Sequence, residues 1–111
     1  MELDMPTFEE LKQMSGADFI HELVDTFLDD SPRLVEQMKS ALQSNDADSF
    51  RRAAHSLKSN SATFGAMRLA GMAKELEMLG KEHRLSEAGS RIPPLEQALG
   101  AVCAELQDLQ K

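Results

Sequence analysis

The segment that decides the fold lies at residues 50–65 and reads FRRAAHSLKSNSATFG. Because successive residues of an α-helix are rotated by about 100° around its axis, a helix over this segment has two different faces. Its apolar and small residues fall within roughly 60° of Leu57 around that axis. They are Phe50, Ala53, Ala54, Ser61 and Phe64. This stripe predicts a helix with one side packed against a hydrophobic core.

The opposite face of this helix carries His55, about 160° from Leu57. The residues that flank it are basic or small: Arg51, Lys58, Ser59 and Ala62, with Arg52 further round. The pattern predicts an exposed imidazole inside a small basic patch, which suits an anion. An exposed histidine taken alone is more often only a solvated side chain, so the patch by itself leaves both interpretations open.

Length and composition favour one helical domain. The 111 residues suffice for a hydrophobic core without disulfides or a structural metal, so we expect a single domain over 1–111. Leu, Glu, Ala, Met, Lys and Gln are plentiful, Trp and Tyr are absent, and β-branched residues are few. The composition therefore predicts an all-α fold.

Helix boundaries in the first part of the chain follow from capping residues and apolar spacing. A short helix is expected at 7–14, with Thr7 as N-cap and Glu10 at the capping-box position. A longer apolar-periodic segment starts near Ala17, where Pro32 either kinks one helix of about 27 residues or begins a new helix. We favour the single long helix.

The next two helices are separated by glycines. The central helix is expected over about 46–64 and should end at Gly65, because glycine commonly follows a helix C-terminus. Another helix is predicted over 66–79, with Gly80 as its stop. Gly71 inside that helix is interpreted as a point of close packing.

A last helix is predicted over 86–110, where Pro93 and Pro94 mark either a kink or a restart. Four amphipathic helices joined by short connections imply an antiparallel up-down four-helix bundle, here with a short extra N-terminal helix.

The formal net charge of −7 argues against two kinds of partner. A nucleic-acid binder needs a basic face, and an anionic membrane surface repels an acidic protein. No apolar run approaches the roughly 20 residues of a membrane span and the N-terminus lacks the features of a signal peptide, so we expect a cytoplasmic protein. Cys103 is the only cysteine and is expected to be a buried thiol. No pair of histidines has metal-ligand spacing, so no metal site is predicted.

The sequence around His55 resembles the signature of histidine-containing phosphotransfer (HPt) domains, H-x-L-K-G-x-x-x-x-x-G. Residues 54–62 read AHSLKSNSA, and the matching residues 64–66 read FGA. The resemblance covers nearly the whole chain, with further similar stretches at 27–32, 52–55 and 74–77. HPt domains are antiparallel four-helix bundles, the architecture that the helix pattern also predicts.

The resemblance implies that His55 accepts a phosphoryl group at Nε2 from an aspartyl phosphate on one receiver domain and passes it to another. A neutral imidazole has a free ring nitrogen for such an attack, and it must be exposed to be approached in line. The partners would be receiver domains of response regulators or hybrid histidine kinases, which supply the aspartate and Mg²⁺. The chain itself is expected to be a monomer without a cofactor and, lacking a glycine-rich phosphate loop, without kinase activity of its own.

The resemblance also assigns roles to the neighbours of the histidine. Lys58, one turn further on, is expected to place its ammonium against the phosphoryl oxygens. Arg51 and Arg52 either steer an acidic receiver, serve solubility, or pair with acids before the helix. Ser59 replaces the usual glycine of the family; docking should survive this small side chain, whereas a bulky residue there should block transfer. Besides the arginines, the predicted docking residues are Ser59, Ala62 and Gly65.

A supporting residue for the imidazole is expected on the next helix. In a hairpin that turns near Gly65, His55 is level with residues 74–77, so Glu77 or Lys74 could reach it. A Glu77 carboxylate that accepts the Nδ1 proton would keep Nε2 nucleophilic, which makes Glu77 the predicted supporting residue. A surface salt bridge is the competing interpretation.

Two other functions compete with the relay. The chain could be a helical-bundle adaptor that binds receivers or other signalling proteins without being phosphorylated. It could also be the phosphoacceptor module of a larger histidine kinase whose ATP-binding domain lies on the same polypeptide.

Overall fold

A computed structural model of the chain describes residues 1–110. Within them the chain forms five α-helices, two short 3-10 turns and no strand. The helices are α1 (Met5–Ser15), α2 (Ala17–Gln43), α3 (Ala47–Thr63), α4 (Met67–Lys81) and α5 (Ile92–Leu109). The all-α prediction is confirmed. No helix in this part of the chain has the length and apolar character that a bilayer crossing requires.

Helices α2 to α5 form a bundle, and α1 packs against α2. Two contacts give the relative direction of α2 and α5. Lys39 Nζ lies 2.7 Å from Glu96 Oε2, whereas Asp25 Oδ1, earlier in α2, accepts a 3.2 Å hydrogen bond from Gln110 Nε2 after the end of α5. Because a lower number in α2 pairs with a higher number in α5, these helices are antiparallel. The predicted bundle with a short extra N-terminal helix is confirmed.

One hydrophobic core joins all five helices. Phe64, just after α3, connects this core to α1, because its ring centroid lies 6.4 Å from that of Phe8 and 5.4 Å from that of Phe27. Aromatic rings at such distances attract each other in addition to burying apolar area. The largest fully buried apolar side chains come from the four bundle helices: Val24, Met38, Phe50, Leu57, Leu69, Leu76, Leu95, Val102 and Leu106.

The long helix α2 continues through Pro32, as predicted. Proline has no backbone N–H, so one intrahelical hydrogen bond is missing at this point, where tertiary packing must hold the helix together. The neighbouring Ser31 is fully buried against the core, and its hydroxyl has no hydrogen-bond partner in residues 1–110. The alternative prediction of a new helix at Pro32 is wrong.

Two predicted helix starts are wrong. Helix α1 begins at Met5 after Asp4, and the hydroxyl of Thr7 donates to the Asp4 carboxylate from inside the first turn, so Thr7 is not the N-cap. Helix α5 begins at Ile92, because residues 85–91 form the two 3-10 turns. Pro93 therefore lies in the first turn of α5, where a missing N–H costs nothing, and it marks a restart and not a kink.

The predicted roles of the two glycines in α4 are both wrong. Gly80 does not stop the helix, which runs to Lys81. A Cβ on Gly80 would lie 3.1 Å from Arg51 Cβ and 3.2 Å from the Arg51 backbone, so α3 and α4 approach closely here. A Cβ on Gly71, by contrast, would meet no atom within 4 Å. The close packing expected at Gly71 is found at Gly80.

Alanine substitutions at these two positions should separate helix propensity from packing. Gly71→Ala should raise the free energy of unfolding by about 0.5–1 kcal/mol, because alanine favours helix and its methyl group meets open space. Gly80→Ala gains the same propensity but presses its methyl group against Arg51, so it should be at least about 1 kcal/mol less stable than Gly71→Ala. Urea denaturation followed by circular dichroism measures both; equal stabilities would contradict the close approach at Gly80.

Candidate functional site

Helix α3 carries His55 near the middle of its exposed side. The helix begins after Asp46, whose Oδ1 accepts a 3.1 Å hydrogen bond from the backbone N–H of Ser49, as an N-cap residue does. It ends before Phe64 and Gly65, and Gly65 has a φ of 77°, a conformation that favours glycine. The His55 side chain is 54% exposed. Between these two ends of α3, the imidazole faces solvent from the middle of the helix.

The imidazole of His55 contacts Glu77 on α4. Its Nδ1 lies 2.6 Å from Glu77 Oε2. The hairpin between α3 and α4 places the two residues at the same level along the bundle. An ionised carboxylate can only accept, so Nδ1 carries the proton in this hydrogen bond. In the neutral imidazole this leaves Nε2 with a free lone pair, and Nε2 has no partner among residues 1–110.

The same carboxylate also holds Lys58. Lys58 Nζ lies 2.7 Å from Glu77 Oε1, so one oxygen of Glu77 binds the histidine and the other binds the lysine. The Glu77 side chain is only 15% exposed, and Lys58 is 30% exposed. The resemblance predicts that Lys58 contacts a phosphoryl group. In this structure Lys58 lies one turn from His55, and its ammonium is paired with Glu77.

Opposing influences act on the pKa of Glu77. Burial is the largest single influence and raises it, because a less hydrated carboxylate is harder to ionise. The hydrogen bonds from Lys58 and His55, together with their charges, outweigh burial and lower the pKa of Glu77 below its ordinary value. The carboxylate that holds Nδ1 therefore stays ionised at neutral pH.

Removing the lysine should shift the titration of Glu77. We expect Lys58→Met to raise the pKa of Glu77, because burial would then be opposed only by His55. A carboxyl whose pKa is lowered by folding stabilises the fold at pH values above its unfolded-state pKa. This stabilisation is lost as the pH falls through its folded-state pKa, so Lys58→Met should lose stability at a higher pH than the wild type. Carboxyl ¹³C NMR titration measures the shift.

Lys39→Met is the matched control for this titration. Lys39 is paired with Glu36 and Glu96 on the other side of the bundle, so its removal deletes a comparable ion pair without touching Glu77. An unchanged pKa of Glu77 in Lys58→Met, or the same change in both variants, would contradict the shared-carboxylate geometry.

The two arginines predicted for docking lie before His55 and are paired with one acid. Arg51 Nη2 and Arg52 Nη2 lie 2.9 Å and 2.6 Å from the two carboxylate oxygens of Asp48, in the first turn of α3. Of the alternatives that the sequence left open, pairing with an acid near the helix start is the one present in the structure. Both ion pairs can be predicted from the sequence, because residues three and four positions after Asp48 lie on the same side of a helix.

The other predicted docking residues do not share one environment. Ser59 and Ala62 are exposed on α3, one and two turns after His55. Gly65 is buried: a Cβ there would lie 3.0 Å from the Asp4 carbonyl oxygen and from Thr7 Cβ. The N-terminal segment covers Gly65, which ends α3 with its positive φ, and its part in docking stays a prediction. Residues 1–110 contain no group of three metal-ligating side chains.

Comparisons with known proteins identify this arrangement. A model of the Hpt domain family matches residues 22–111. Histidine-containing phosphotransfer protein B (HptB) from Pseudomonas aeruginosa PAO1 is 33% identical in sequence, with a TM-score of 0.91 over 96% of this chain and 92% of that chain. The HPT domain of a sensor hybrid histidine kinase from Shewanella is 20% identical and shows the same fold, with a TM-score of 0.74 over 92% of this chain and 90% of that chain. A search of curated proteins finds no match. With this match over most of its length, the chain belongs to the Hpt domain family and has a phosphotransfer role in two-component signalling.

Proposed function

We propose that His55 is the phosphorylated residue of a relay, receiving a phosphoryl group from an aspartyl phosphate on one receiver domain and passing it to the aspartate of another. The observation that carries this proposal is the 2.6 Å contact between Nδ1 and Glu77 Oε2, which leaves Nε2 as the free nucleophile. This nitrogen belongs to an exposed side chain on a helix, so a partner protein can approach it in line.

The transfer step balances without a further reactant. The Nε2 lone pair forms a bond to phosphorus while the phosphorus–oxygen bond to the partner's aspartate breaks, and the electron pair leaves with the aspartate carboxylate. Positive charge develops on the imidazole ring, which still carries its Nδ1 proton. The ionised Glu77 carboxylate accepts a hydrogen bond from that proton and stabilises the charge. Transfer to the second receiver reverses these steps.

Lys58 has a second part in the proposed mechanism. Its ammonium is held within one turn of His55 by Glu77 Oε1. Once a phosphoryl group is bonded to Nε2, its oxygens carry more negative charge than the Glu77 carboxylate, which Lys58 shares with His55. Lys58 then turns from Glu77 to the phosphoryl oxygens and stabilises them.

The catalytic parts that this chain does not supply come from its partners. We propose that receiver domains of response regulators or hybrid histidine kinases provide the aspartate and Mg²⁺, and that the chain acts as a cytoplasmic monomer without a cofactor of its own. It carries phosphate and does not consume ATP. The chemistry is therefore completed only in the complex with a receiver.

The test is transfer from phosphorylated receivers of the source organism. The protein is mixed with each purified receiver carrying labelled phosphate, and transfer is followed by electrophoresis. We expect rapid labelling by a small subset, with phosphate that is lost in acid and kept in alkali, as a phosphoramidate bond behaves. A protein that binds receivers but takes up no phosphate from any of them would be an adaptor and would overturn the proposal.

A further inference from the structure

The positive charges near His55 are unevenly compensated. On α3, Arg51 and Arg52 share the single carboxylate of Asp48, and Lys58 is paired with Glu77. Asp48 of α3 and Glu77 of α4 thus reduce the basic patch that the sequence suggests on α3 to about one net positive charge.

Helix α4 carries two cations without such compensation. Lys74 and Lys81 lie three residues before and four residues after Glu77, and residues at these spacings project from the same side of a helix. Because Glu77 contacts His55, this side of α4 borders the histidine. Both lysines are exposed, and neither ammonium forms an ion pair or hydrogen bond with another described residue.

We propose that Lys74 and Lys81 form a docking edge on α4 that contacts an acidic surface of the receiver beside its phosphorylated aspartate. The inference rests on the proposed function and extends the docking site from α3 to α4. The chain has a net charge of −7, so an acidic partner is repelled over most of its surface. Two unpaired cations on the side of α4 that carries Glu77 give such a partner a favourable orientation.

The experiment measures the transfer rate against receiver concentration for a receiver found by the transfer screen. The double variant Lys74→Glu/Lys81→Glu should raise the half-saturating receiver concentration about tenfold, and Lys74→Glu alone, away from the helix end, about threefold. Raising the salt concentration should shrink both differences, because salt screens exposed charges.

Lys12→Glu is the matched control. Lys12 is an exposed lysine of α1 whose ammonium also has no partner among residues 1–110, so its reversal changes the net charge without touching the α4 edge. We expect less than about a twofold change in this variant.

Each other outcome has a definite meaning. Equal half-saturating concentrations in Lys74→Glu and in Lys12→Glu, which have the same net charge, would overturn the docking edge, because net charge alone would then act. A lower maximal rate at an unchanged half-saturating concentration would also overturn it, since the lysines would act on the chemical step. Absence of labelling in the wild type would instead overturn the proposed function itself.

Discussion

The His55→Gln variant is expected to take up no phosphate from a receiver that labels the wild type, a loss of at least about a thousandfold. Glutamine has no ring nitrogen that can attack phosphorus, so the covalent step is removed and not merely slowed. The side chain still offers an amide N–H to Glu77, and its position is exposed, so the free energy of unfolding should change by less than about 1 kcal/mol. Electrophoresis of the labelled mixture and a denaturation curve give the two results.

The chain provides its own controls for this variant. His21→Gln and His83→Gln replace the other two histidines, which are exposed and lie on α2 and after α4. Both should be labelled like the wild type. Undiminished labelling of His55→Gln, or loss of labelling in either control, would show that the phosphoryl group is carried elsewhere.

The Phe64→Ala variant should lose about 3–5 kcal/mol of the free energy of unfolding. Phe64 is 4% exposed, and its ring contacts both Phe8 of α1 and Phe27 of α2. Truncation leaves a cavity at the point where α1 joins the bundle. Relative to the wild type, hydrogen exchange should therefore speed up more at the amides of α1 than at those of α4. Urea denaturation and hydrogen exchange measure the two effects.

Phe19→Ala is the control for Phe64. Phe19 is 51% exposed on α2, so its truncation should cost less than about 1 kcal/mol. If Phe64→Ala does not fold, Phe64→Leu retains most of the buried volume and should cost about 1–2 kcal/mol. A loss at Phe64 no larger than that at Phe19 would contradict the role of this ring in holding α1.

The sequence predicts features that depend on local periodicity. The 3.6-residue repeat of α3 decides which side chains can face the core, and it correctly separates buried Leu57 from exposed His55. The contact between His55 and Glu77 also follows from simple geometry, because a tight hairpin makes residues equally far from its turn level. The length of α2 was predictable because apolar spacing continues across Pro32.

Features that depend on tertiary distances were not predictable. A glycine that ends a helix and a glycine that admits a neighbouring helix look alike in a sequence, so Gly80 was misassigned. The covering of Gly65 by Asp4 requires the path of the N-terminal segment, which no local pattern encodes. The sharing of Glu77 between His55 and Lys58 depends on the rotamers of three side chains from two helices.

The shared carboxylate has a consequence for the entropy of transfer. An exposed imidazole ordinarily rotates about its side-chain bonds, and a partner must stop that rotation before reaction. In this chain the Glu77 contact fixes the ring at Nδ1 before any partner arrives, so less rotational freedom is lost on docking.

This preorganisation serves both directions of the reaction equally. On the proposed mechanism, the ring is held in the same orientation whether the phosphoryl group arrives at Nε2 or departs from it. We therefore expect the Glu77 contact to lower the barrier without shifting the equilibrium between donor and acceptor. In the proposed relay, the net direction of phosphoryl flow is then set by the relative stabilities of the two aspartyl phosphates and by how quickly each is consumed. In that proposal the histidine domain only brings its two partners to equilibrium and gives the flow no direction of its own.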